Sequence, residues 1–126
     1  MTQHLNIDKF LAKFKELFSS EYDQIIHNSA CSRNDHLNII SWLEHIADLT
    51  RIYISMQDAK KTSALLLFMS QQYQDKSTDP TLKAAIISTY LNSLDIDLTE
   101  EARSWSINLL PDNLRSANPA VFKLEK

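Results

Sequence analysis

The sequence predicts an all-α protein, a single compact bundle of five to six helices, and three observations predict it. Apolar residues recur every three or four positions through most of the chain, the period of an amphipathic helix. Helix-start signals punctuate that pattern, most clearly Asp79 followed by Pro80 and Thr99 followed by two acids. Glycine is absent altogether, which removes the easy two-residue hairpin turn that neighbouring strands need.

The central stretch is Leu37 to Met56. Leu37, Ile40, Leu43, Ile46, Leu49, Tyr53 and Met56 predict its buried stripe, with Ile39, Trp42, Ile52 and Ile54 widening the apolar face. Glu44, Asp48 and Arg51 share a narrow polar face, and His45 points elsewhere. Before this helix, Asn6 is the expected cap of a first helix running to about Phe18, buried through Ile7, Phe10, Leu11, Phe14, Leu17 and Phe18. Ser20 and Asp23 suggest a capping box for a short second helix, Glu21 to His27, which follows the first or continues it. Asn28 to His36 is polar and aperiodic and reads as a loop.

After Met56, Asp58 caps a helix with Ala59, Leu65, Leu66, Phe68, Met69 and Tyr73 on its buried side, expected to form an antiparallel hairpin with the central helix. Gln71 to Thr78 reads as a polar linker. Asp79 and Pro80 then open a helix to about Leu94, with Leu82, Ala85, Ile86, Thr89, Tyr90 and Leu94 facing the core. Thr99 caps a last long helix through Trp105 to Leu110, where Pro111 stops it; Asp112 to Ala117 is expected to add one further turn. One domain over residues 1–126 is expected, with loosely held ends at 1–5 and 119–126.

Composition excludes several functions. Without glycine there is no phosphate-cradling loop, no dinucleotide fingerprint and no nucleophile elbow. The single Cys31 cannot form an internal disulfide, the longest apolar run is too short for a bilayer, and a cytoplasmic setting is expected. His27, Cys31, His36 and His45 match no zinc spacing, and Cys31 with a histidine lacks an orienting partner, so neither a metal site nor a nucleophilic pair is expected. Glu44 and Asp48 place two carboxylates one turn apart, but Arg51 offers a local ion pair and no Glu-x-x-His pattern accompanies them. No enzyme activity and no cofactor is expected. Trp42, Trp105 and the phenylalanines sit at helical spacing and read as core.

The acidic group Asp95, Asp97, Glu100 and Glu101 is the feature taken forward as a partner-binding surface, with Glu44 and Asp48 second. A solvated turn at a helix N-terminus accounts for the same charges. A net charge of −3 fits a basic protein partner better than nucleic acid. Tyr53, Tyr73 and Tyr90 are the aromatics considered as buried anchors beside the acids.

The segments ADLTRIYI, with Asp48, Thr50 and Arg51, LLLFM, AAIISTYLNSL and, after Trp105, LLPDNLR resemble small all-helical bacterial immunity proteins of toxin and immunity pairs, including contact-dependent growth inhibition systems. The resemblance covers about residues 37 to 115. It implies a non-enzymatic cytoplasmic inhibitor that binds one cognate toxin domain, a basic nuclease or ribonuclease, and blocks its active site. A second reading stays open: a helical adaptor or secretion-chaperone-like module that uses an apolar groove between helices.

Overall fold

The computed structural model describes the backbone of residues 2–28, 39–95 and 98–119, and the side chains of 9–27, 39–95 and 98–119. These residues contain helices and no strand: α1 (Thr2–Leu17), α2 (Ser19–Asn28), α3 (Ile39–Ser55), α4 (Ala59–Gln74), α5, α6 (Glu100–Ile107) and α7 (Asp112–Ala117). Helix α5 is one continuous run built from Pro80–Ala85, a π-helical turn Ile86–Leu91 and Asn92–Leu94. The expected loop from Asn28 to His36 and the tail from Val121 lie outside the described residues, save that Asn28 closes α2.

Helix α1 begins at Thr2, so Asn6 lies inside it rather than at its start. At Phe18 the helical geometry breaks, yet the amides of Phe18 and Tyr22 still bond the carbonyls of Phe14 and Phe18, so α2 continues the line of hydrogen bonds. Ser20, inside α2, does not cap it. Phe10, Phe14, Phe18 and Phe68 stack around one another at centroid distances of 5.3–5.8 Å, and Trp42 joins through Phe14 and Tyr22. Phe10, Phe14, Phe68 and Trp42 are core, as their spacing predicts, and Phe18 and Trp105 pack partly buried against that core; Phe122 lies outside the described residues.

Helix α3 is the centre: α2, α4, α5 and α6 all pack on it. Its buried residues are Trp42, Leu43, Ile46, Ala47, Leu49, Thr50, Tyr53 and Ile54. Ile40, Ile52 and Met56, expected to line the core, are instead 40%, 49% and 66% exposed. Leu37 falls outside the described residues. A helix that is apolar almost all round carries two overlapping stripes, and the period alone does not choose between them. The neighbours chose the stripe centred on Leu43, Ile46, Thr50 and Tyr53.

The turn after α3 shows how a chain without glycine reverses. Gln57 takes the left-handed conformation, φ 55°, that glycine usually supplies. Its amide bonds the Ile54 carbonyl and the Asp58 amide bonds that of Tyr53, a Schellman closure. Asp58 also caps α4 by accepting from the Lys61 amide. One residue thus ends a helix and begins the next. Helix α4 buries Thr62, Leu65, Leu66, Phe68, Met69 and Ser70, leaves Ala59 exposed, and runs to Gln74, past the expected boundary.

Asp79 and Pro80 open α5 as predicted, with the Thr81 amide donating to the Asp79 carboxylate. The π turn within α5 was not foreseen. Leu82 and Leu91 are nine residues apart, about two and a half α-helical turns, which would put them on opposite faces. Both are buried, because the wider i→i+5 turn slows the rotation and brings Tyr90, Leu91 and Leu94 back beneath Leu82 and Ile86. Thr89, expected in the core, moves to its edge. Tyr90 then lies against α3, its hydroxyl 3.0 Å from Thr50 Oγ1, which also donates to the Ile46 carbonyl.

Helix α6 ends at Ile107, three residues before the expected Leu110, because the residue preceding a proline is disfavoured in the α conformation. Arg115 donates to the freed carbonyls of Ile107 and Leu110. Pro111 then leads α7, which Asn113 fastens to α4: Ser70 Oγ donates to Asn113 Oδ1 at 2.6 Å and Asn113 Nδ2 donates to the Ser70 carbonyl.

Two buried threonines on neighbouring helices predict opposite outcomes for one substitution. Thr62 Oγ1 is buried without a hydrogen-bond partner among the described residues, so Thr62→Val stabilises by about 1 kcal/mol in denaturant titrations. Thr50→Val strands the fully buried Tyr90 hydroxyl and costs about 1–3 kcal/mol in the same assay. Gln57→Gly relieves left-handed strain at the cost of unfolded-state entropy, a net gain of up to about 1 kcal/mol, whereas Gln57→Val destabilises.

Candidate functional site

The acidic group at the α5–α6 corner is assembled by a cap. Thr99 accepts from the Ala102 amide at 3.0 Å and so starts α6. Glu100 and Glu101 occupy the first turn, exposed, where the helix dipole favours negative charge. Asp95, at the end of α5, faces inward instead. Its Oδ1 accepts from Arg103 Nε at 2.9 Å, and the side chains of both are about three-quarters buried. A further Arg103 bond at 3.5 Å reaches the Asp95 carbonyl. Much of the Asp95 charge is therefore matched within the molecule, and the bond fastens α6 to the end of α5. Asp97 lies outside the described residues.

Glu44 and Asp48 stand one turn apart on the outer face of α3. Asp48 pairs with Arg51, the local partner expected from the sequence. Glu44 has no ion pair among the described residues. Of the five candidate carboxylates among the described residues, Glu44 and Asp48 share a face of α3, Glu100 and Glu101 share the first turn of α6, and Asp95 at the end of α5 turns inward to Arg103.

The tyrosines considered as anchors are mostly unavailable. Tyr90 is fully buried, and burial pushes its hydroxyl well above the usual range. Tyr53 is 9% exposed and donates to Glu21 Oε2 at 2.7 Å, with the Lys61 ammonium over its ring. Burial, then that carboxylate, raises its titration likewise. Tyr73 is half-buried. Among the described residues no group of three His, Cys, Asp or Glu is placed to hold a metal; Cys31 and His36 are not among them.

One cleft escaped sequence reasoning. It holds about 180 Å³ between α1 and the α4–α5 turn, with Phe10 and Leu82 at its base and Lys9, Lys13, Gln72, Asp75, Ser77 and Thr78 around it. The Ser77 amide and hydroxyl both donate to Asp75 Oδ1 at 2.8 Å, and these bonds, with Lys9 and Lys83 nearby, hold the Asp75 carboxyl below its usual range. Its only trace in the sequence is a pair of lysines one turn apart on α1.

The three acids described at the α5–α6 corner are separable by stability. Asp95→Ala leaves the part-buried Arg103 guanidinium without its carboxylate and lowers unfolding free energy by about 1.5–3 kcal/mol, whereas Glu100→Ala and Glu101→Ala each stay within about 1 kcal/mol of the parent in urea titrations.

No curated protein and no solved structure matches the chain significantly. A family model does match, over residues 7–118, a span that takes in most of α1 and, among the described residues, every helix after it. The chain belongs to the family described as a domain of unknown function, DUF7674.

Proposed function

We propose that the protein is a non-enzymatic immunity protein that binds and neutralises a cognate bacterial toxin domain in the cytoplasm, by covering the active site of a basic nuclease or ribonuclease. The observation that carries this reading is the placement of exposed carboxylates on a rigid helical body, Glu44 on α3 and Glu100 and Glu101 on α6. Nuclease clefts are basic because they neutralise phosphates, and carboxylates held at fixed spacing on helices compete for the same cations. Sequence resemblance over ADLTRIYI, LLLFM, AAIISTYLNSL and LLPDNLR supports the class of role. No helix among the described residues is long and apolar enough to cross a membrane.

The reading expects a large secreted protein with a variable C-terminal tip to be encoded upstream of this gene, and the test uses that tip. The tip is expected to co-purify with the full chain, and the chain to protect cells expressing the tip. Glu100→Lys with Glu101→Lys, and separately Glu44→Lys with Asp48→Lys, are each expected to weaken binding about tenfold or more, mostly through slower association, with the salt dependence reduced. A tip that neither binds nor is neutralised by the parent chain overturns the reading.

A further inference from the structure

Helix α3 carries an inclined ridge of side chains that winds across its outer side, centred opposite the core. Ile40, Glu44, Asp48, Ile52 and Met56 follow one another at four-residue intervals, the spacing of a helix ridge. Met56 lies just past Ser55, but its amide still bonds the Ile52 carbonyl at 3.0 Å, so the row runs through it. The apolar members are 40%, 49% and 66% exposed, and both acids are exposed.

This face differs from an ordinary solvated one. The large apolar side chains left exposed among the described residues are Leu17, Ile40, Ile52, Met56 and Leu67, and three of those five stand in this row. Single exposed apolar residues are common, whereas alignment with carboxylates between them makes a patch. The solvent side of α1, by contrast, carries Lys9, Lys13, Lys15 and Glu16. On the α3 row Glu44 has no cation among the described residues, and the ridge is about 24 Å long, comparable with the width of a standard protein interface.

We infer that the α3 ridge is the contact surface for a basic amphipathic helix of a partner protein. The pattern along it, apolar, acid, acid, apolar, apolar, is complementary to a helix with lysine or arginine opposite Glu44, a second cation sharing the half-exposed Asp48 carboxylate with Arg51, and apolar side chains at either end. Ridge-into-groove packing aligns two such helices, the cations set the register, and Ile52 and Met56 supply the apolar anchor that charge alone lacks. This rests on the binding role proposed above and centres it on α3, because there the exposed apolar side chains Ile40, Ile52 and Met56 stand beside the acids.

The test has two arms. In the first, the isotope-labelled full chain is titrated with a synthetic helical peptide bearing Leu, Lys, Lys, Leu and Leu one turn apart, and with the same peptide carrying Glu for Lys. Saturable resonance shifts confined to α3 and its outer neighbours are expected for the lysine peptide alone. Ile52→Ala with Met56→Ala weakens binding about tenfold, while Leu67→Ala, equally exposed but on α4, leaves it unchanged. No saturable shifts, shifts centred elsewhere, equal binding of the glutamate peptide, or equal loss in Leu67→Ala overturns the ridge. In the second arm the same variants meet the toxin tip. Loss of the tip by the ridge variants supports the inference. A tip bound equally well by parent and ridge variants overturns the ridge and leaves the immunity role standing. A tip not bound by the parent removes that role, and the peptide arm still decides the ridge.

Discussion

Tyr90 must place its hydroxyl against Thr50 while Leu91 and Leu94 enter the same core, and much of the architecture follows from satisfying both at once. Thr50 spends its own proton on the Ile46 carbonyl, so the Tyr90 hydroxyl is the proton donor to Thr50 Oγ1 and the pair is left with no unpaired donor. A regular α-helix does not carry Leu82, Ile86, Tyr90, Leu91 and Leu94 on one face; the π turn at Ile86–Leu91 does. The irregularity is therefore a packing solution, locking α5 against the helix that the other elements surround. A buried polar pair fixes the rotation of two helices more sharply than apolar contact, because the penalty for a misaligned hydroxyl is a lost hydrogen bond in a dry environment.

The absence of glycine shapes the corners in the same physical terms. Gln57 accepts the left-handed conformation, and Asp58 both closes α3 and caps α4. Asp75, Asp79 and Thr99 accept hydrogen bonds from backbone amides at the following turns. Several acids thus serve structure first. Asp95 belongs with them through Arg103, which is why the compact acidic group seen in the sequence divides into structural and solvent-facing members.

That division narrows the functional reading. What remains available to a partner is Glu100 and Glu101 at one helix end and the mixed acidic and apolar ridge of α3. Two lysines, Lys9 and Lys13, line the cleft between α1 and the α4–α5 turn, away from Glu44, Glu100 and Glu101. A body with charge separated in this way orients an approaching basic protein before contact, and an apolar strip between carboxylates then determines how long it stays.

Helix content, the Asp58, Asp79 and Thr99 starts, the aromatic core and the Asp48–Arg51 pair were legible in the sequence, because each depends on neighbours within one or two turns. The side of α3 that faces inward was not legible, since Ile40, Ile52 and Met56 are as apolar as Leu43 and Ile46, and only the helices packed on it distinguish them. Nor were the π turn, the partner of Asp95 or the Ser70–Asn113 clamp, whose two residues are 43 positions apart. Local periodicity and capping determined that this chain is helical and where most helices begin; long-range packing decided which apolar and acidic side chains are buried, because burial is settled by what covers a residue and not by what precedes it.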